Sequence, residues 1–181
     1  KKAEALLKEA GVKPGLQVEL LTYNSPRGYN PAGAALAVAI QGYLKKVGMI
    51  ANVRQMEIGA YLSTVRSGKY TGLTVQGWSG DNGDPDNFLG ELWGAKNIPV
   101  NNWAHYNNPQ VETLLAKALT VSGEAGRTPI YHQVQKIILD DAPWIFVNST
   151  LQARAISKKV KGFVLNPTQM FFDMQNVSLE K

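Results

Sequence analysis

The sequence predicts an α/β fold with a mixed, mostly parallel sheet flanked by helices. Three observations predict it. Through residues 1–78, apolar runs of strand length alternate with segments of helical period, which is the pattern of parallel strands joined by right-handed helical crossovers. The run LQVELLTY at 16–23 is apolar enough for a strand covered on both sides, as a parallel sheet requires. The composition, 44% apolar and 18% charged over 181 residues, suits one ordinary globular domain with a full core.

Each element has its own warrant. Residues 1–10 read as a helix, with Ala3, Leu6, Leu7 and Ala10 at helical spacing, Gly11 as its stop and Pro14 beyond it. The strand at 16–23 follows, then a loop, NSPRGYN, at 24–30. A second helix is expected over about 31–47. Pro31 suits its first turn, Leu36, Ile40, Tyr43, Leu44 and Val47 form its buried stripe, and Gly48 suits its C-terminal cap. Residues 50–57 read as a second strand, 59–67 as a short helix ended by Gly68, and 71–78 as a third strand. Beyond Trp78 the pattern changes to a polar loop at 79–88, a short helix and an irregular stretch at 94–107. A helix at about 109–121 is capped by Asn108 with Pro109 first inside, and carries Val111, Leu114, Leu115, Ala118 and Leu119 on one face. A last helix at about 125–141 places Ile130, Val134, Ile137 and Ile138 together, with Pro129 near its start. Residues 144–156 read as strand, and 162–178 as mixed strand and loop. No repeat or linker divides the chain, so 1–181 reads as a single domain.

Composition excludes several functions. The sequence contains no cysteine, which removes disulfides, thiolate zinc sites, iron–sulfur clusters and a cysteine nucleophile. The formal charge of +5 is spread along the chain rather than clustered among aromatics, so no nucleic-acid surface stands out. No apolar run reaches membrane-spanning length, and the start does not read as a signal peptide. His105 and His132 lie on different elements without metal-ligand spacing. Neither a G-x-S-x-G elbow nor a phosphate-binding glycine motif occurs. Neither register of the D-N-G-D-P-D segment fits a calcium loop, because glycine and glutamate are missing where the loop needs them. No cofactor and no metal are expected. The four tryptophans, Trp78, Trp93, Trp103 and Trp144, read as core or pocket wall.

Chemistry is expected beyond the carboxyl ends of the strands, where open parallel sheets bind ligands. That rim holds Arg27 and the 79–88 loop. Asp84, Pro85 and Asp86 form a helix-start signature, so their carboxylates have structural duties. Asp81 has none and is the carboxylate left free to meet a cation. A hydrolase using Asp81 and Asp84 is the enzymatic alternative; it lacks a nucleophile and an oxyanion site, and no catalytic residue is assigned.

The segment Gly77 to Phe88, GWSGDNGDPDNF, resembles the signature of the peptide- and nickel-binding family of ABC-importer solute-binding proteins, and within it the dipeptide-binding branch. Arg27-Gly28-Tyr29-Asn30-Pro31 is similar to that branch's Y-N-P segment. Tyr106 to Pro109 is similar to its Y-x-N-P helix start, Gln135 to Ile138 and Ala142 to Trp144 to its "Q-x-I-I … A-P-W" stretch, and 160–163 and 176–179 to its closing segments. The resemblance implies a periplasmic-binding-protein-like lobe, the C-terminal of two, cut from a longer secreted precursor whose first lobe is absent here. It implies a non-catalytic importer component that is periplasmic, or lipid-anchored in a Gram-positive parent, and that docks on membrane permease subunits. It also implies roles: Asp81 for a dipeptide's α-ammonium and Arg27 for its α-carboxylate, with Trp78, Gly80 and Asn82 beside them. Oligopeptide, nickel chelate or haem is the alternative solute. A dipeptide spans about 7 Å at most. With a hydrogen bond at each end, the two charges are expected roughly 8–13 Å apart.

Overall fold

A computed structural model describes residues 1–166, 168 and 174–180. They form two compact units, 1–77 and 78–181.

The first unit is the predicted alternation. Helix α1 (Lys2–Glu9) precedes strand β1 (Gln17–Tyr23), helix α2 (Gly33–Lys46), strand β2 (Ile50–Met56), helix α3 (Ile58–Val65) and strand β3 (Leu73–Thr74). The strands lie in the order β2-β1-β3, all parallel. Central β1 pairs along its whole length with β2, from Gln17↔Ile50 to Tyr23↔Met56. Leu20, Leu21, Thr22 and Tyr23 are all buried in succession, the burial of a strand covered on both faces. Helices α2 and α3 supply that cover.

Several expectations are corrected in this unit. The third strand is two residues long rather than eight. It pairs with β1 only at Leu20↔Leu73 and Leu21↔Thr74, and the Val75 N–H adds one more bond to the Leu21 carbonyl at 3.1 Å. Helix α2 starts at Gly33, so Pro31 lies before its first turn. Its most buried residues are Gly33 and Ala37, whereas Tyr43 is 67% exposed, because the helix approaches the sheet on its small residues. Helix α1 forms but buries nothing fully, and Leu6 is exposed.

The second unit contains α4 (Asp86–Trp93), a 3-10 turn at Ala95–Asn97, α5 (Pro109–Thr120), α6 (Glu124–Asp141) and an antiparallel ribbon of β4 (Val160–Lys161) and β5 (Ser178–Leu179). Helices α4, α5 and α6 share one core built from Leu89, Leu92, Trp93, Val111, Leu115, Ala118, Ile130, Tyr131, Val134 and Ile138. Asn108 caps α5 as expected, its side-chain oxygen accepting from the Gln110 N–H at 2.9 Å. Leu119, placed on the core face by periodicity, is exposed, and Ile137 is only half-buried. Helix α6 runs through Pro129 without a break.

The stretch 144–156 is not a strand. It finds no ladder partner among the described residues, and Ile145, Phe146, Val147 and Leu151 are exposed. The expected mixture at 162–178 falls partly on residues 167, 169–173, which lie outside the described residues. The parallel sheet and the antiparallel ribbon together make the strand content mixed and mostly parallel.

Candidate ligand-binding site

Two groups of predicted site residues are built on separate frameworks. In the first unit, the chain leaves β1 at Tyr23 and turns back through Arg27, whose backbone exchanges two hydrogen bonds with Asn30, at 3.2 and 3.0 Å. Asn30 is buried, and its side-chain oxygen accepts from the Ala32 N–H at 3.3 Å, tying the turn to the start of α2. Arg27 is exposed, with its guanidinium carbon 5.9 Å from the centre of the Tyr29 ring, in cation–π range. Tyr29 meets the buried Tyr23 edge-on, and Tyr23 meets the buried Tyr61 in the same manner. Burial pushes the Tyr23 phenol up to about 12, assisted by its neighbour Tyr29, so Tyr23 is neutral over the physiological range. Gly77 completes the stack, because its missing side chain is where the Tyr29 ring lies. The Arg27 side chain makes no ion pair among the described residues.

In the second unit, the loop at 78–86 is fastened to the start of α4. The Asn87 side-chain oxygen accepts from the Asp81 N–H at 2.8 Å and from the Trp78 indole N–H at 3.3 Å. The Asn87 amide nitrogen donates to the Asp81 carboxylate at 3.3 Å. Trp78 also packs on the core of this unit. Gly80 is buried under Phe88, with the site of its missing Cβ against the ring, 2.8 Å from its Cζ. Asn82 accepts from the Asp84 N–H at 2.9 Å. Asp81 is exposed and, among the described residues, has no ion-pair partner. Trp78, Gly80 and Asp81 are therefore brought together on the first turn of α4, while Asn82 faces back into the loop.

Asp84 has the structural duty its position predicts. One of its oxygens accepts from the Asp86 N–H at 2.8 Å, which satisfies a free donor at the helix start. It has a second duty that no local pattern signals. Arg127 of α6 grips both of its oxygens, at 2.5 and 2.9 Å, and donates to the Tyr131 hydroxyl at 2.6 Å. The Arg127 guanidinium holds the Asp84 carboxyl below the usual carboxylate range. Burial moves Asp86 the opposite way, raising its carboxyl, with Lys96 opposing. Sequence reasoning missed both Asn87 and Arg127. For Asn87 the available signal was its place in the D-P-D-N-F start; the pairing of Arg127 across 43 residues had none. His105 and His132 are both exposed.

Arg27 in the first unit and Asp81 in the second are thus each an exposed charge on a braced turn of its own unit. The sequence profile of the bacterial extracellular solute-binding proteins, family 5 Middle, matches residues 1–99. The chain belongs to this family. It is 34% identical over 180 residues to the dipeptide-binding protein of Escherichia coli (strain K12), covering 99% of this chain and 33% of that protein. It is 36% identical over 166 residues to heme-binding protein A of Haemophilus influenzae, covering 92% of this chain and 30% of that one. The crystal structure of a dipeptide-binding protein from Pseudoalteromonas sp. SM9913 in complex with Met-Leu superposes with a TM-score of 0.85 at 27% identity, over 99% of this chain and 35% of that one. The chain thus spans about a third of the length of these relatives. The α/β, periplasmic-binding-protein-like fold expected from the sequence is the fold of these relatives. No helix among the described residues is long and apolar enough to cross a membrane.

Proposed function

We propose that the chain is the C-terminal lobe of a two-lobed solute-binding protein that captures dipeptides for an ABC importer and performs no catalysis. Asp81 pairs with the α-ammonium and Arg27 with the α-carboxylate, while Trp78, Gly80 and Asn82 shape the surroundings of the ammonium end. The observation that carries this reading is the pair of exposed, oppositely charged side chains, free of ion pairs among the described residues, on the two motif turns that resemble the dipeptide-binding branch. Every dipeptide is a zwitterion whatever its side chains are, so reading both ends selects by length rather than by sequence. Each charge-assisted hydrogen bond in such a site is worth roughly 1.5–3 kcal/mol. Arginine suits the carboxylate because its fork engages two oxygens at once. The full-length protein acts in the periplasm, or outside the cell on a lipid anchor, and delivers its ligand to membrane permease subunits.

The relative named heme-binding protein A favours haem as the second reading. Calorimetry of the full-length protein against a dipeptide, a tripeptide, a single amino acid and haem separates the two. The expected result is tight binding of the dipeptide alone. Equal affinity for all three amino compounds refutes length selection, and preference for haem moves the assignment to the second reading.

A further inference from the structure

We infer that Asn87 is the positioning residue for the loop carboxylate: one side-chain amide sets where the Asp81 oxygens stand, and through them the preference for a ligand with a cationic amino end. The inference rests on the proposed role of Asp81. Both ends of the Asn87 amide are used. Its oxygen receives the Asp81 N–H and the Trp78 indole N–H, at 2.8 and 3.3 Å, and its nitrogen donates to the Asp81 carboxylate at 3.3 Å. A reversed amide would set its own N–H groups against two donors and its oxygen against a carboxylate, so the hydrogen-bond pattern fixes the orientation. Asp81 backbone, Asp81 carboxylate and Trp78 ring are thus all referred to one planar group.

That group does not belong to the loop. It sits in the first turn of α4, whose Leu89, Leu92 and Trp93 are part of the core of the second unit. The Asn87 N–H is itself bonded to the Asp84 carbonyl at 3.1 Å. The position of the Asp81 side chain is therefore inherited from packed structure rather than from a polar loop. Among the described residues, Asn87 is the donor that touches the Asp81 carboxylate, and it does so through one oxygen. The other oxygen is left for a ligand. A carboxylate held in place before binding loses less rotamer freedom when its partner arrives.

The test uses the full-length protein, with L-alanyl-L-alanine and its N-acetyl form as probes in calorimetry. Wild type is expected to prefer the free dipeptide. Asn87→Ala is expected to weaken binding of the free dipeptide roughly tenfold or more, the worth of a hydrogen bond to a charged group. It should leave the acetylated probe nearly unchanged, so that the ratio between the two probes narrows. In an Asp81→Asn background the Asn87→Ala change should have little further effect, because the group it positions is already uncharged. Asn87→Ser, which suits a helix start, gives the same reading should the alanine variant fail to fold. Equal losses for both probes, or full additivity of Asn87→Ala with Asp81→Asn, would overturn the inference while leaving the proposed function standing. Wild type that ignores the acetyl group would overturn the role of Asp81 and this inference with it.

Discussion

Gly77→Ala puts a methyl group where the Tyr29 ring lies. Built on the present backbone, the new Cβ stands 2.6 Å from the ring Cγ and 2.9 Å from Cε2. Ordinary carbon contact is about 3.5–4.0 Å, so the ring must move by about 1 Å. It cannot retreat inward. Tyr23 stands edge-on to it with ring centres 6.3 Å apart, and Tyr23 is only 1% exposed. Behind Tyr23 lies Tyr61, 5.4 Å away and fixed by its hydroxyl donating to the Val75 carbonyl at 2.6 Å. The ring must swing outward, away from Tyr23.

Overpacking of this kind costs about 1–3 kcal/mol. For a chain of this size, each kcal/mol lowers the melting temperature by about 2–4 °C. Urea denaturation followed by tyrosine and tryptophan fluorescence measures the loss. Gly42→Ala in α2 is the control, since nothing lies within 4 Å of its added Cβ. Removing a mid-helix glycine there should stabilise by about 0.5–1 kcal/mol. The two substitutions add the same atom and are expected to act with opposite sign. If Gly77→Ala proves as stable as Gly42→Ala, the stack does not constrain Tyr29 and the reasoning fails.

Two further outcomes follow from the second unit. Arg127→Gln should lower stability at neutral pH and flatten its dependence on acid. The folded Asp84 carboxyl is held below its ordinary range, so its contribution is present at neutral pH and is lost as the pH falls through that lowered value; urea midpoints from pH 7 to 3 that run parallel in wild type and variant would contradict this. Asn102→Ala should cost about 2–4 kcal/mol by thermal or urea denaturation, because it strands buried backbone groups. The Asn102 amide is fully buried, donates to the carbonyls of Gly94 and Tyr106 at 3.3 and 2.8 Å, and accepts from the Tyr106 N–H at 3.0 Å.

The elements legible in the sequence are those whose causes are local. The Asn108-Pro109 start of α5 is a capping signal that needs no tertiary partner, and it formed as read. The apolar run of β1 needed only a sheet to enter. Strands that depend on pairing were less legible. Residues 71–78 have strand composition, but the ladder with β1 takes up only Leu73 and Thr74, and Gly77 is diverted to seat Tyr29. Residues 144–156 have it too. There, Trp144 and Phe146 turn to stack beside Trp93, at 5.1 and 5.7 Å, and the rest of the stretch finds no neighbouring strand among the described residues. Periodicity states which face a segment can bury; it does not state whether anything lies opposite.

The loop that carries the candidate chemistry shows the same division in a sharper form. Its composition, rich in glycine and aspartate, reads as a polar loop, and the motif resemblance picked it out without explaining how it keeps its shape. Three separate ties do that. Asn87 holds Asp81 and Trp78, Phe88 covers Gly80, and Arg127 grips Asp84 from α6. Two of the three come from consecutive residues of a single helical turn, and the third comes from another helix of the same core. A binding carboxylate needs a fixed position and an open face at once, and a loop cannot provide both from its own residues. Here the core of the second unit provides the position and the loop provides the exposure. On the role proposed for Asp81, loosening the Asn87 tie should change ligand preference, whereas loosening the Arg127 tie should first lower stability.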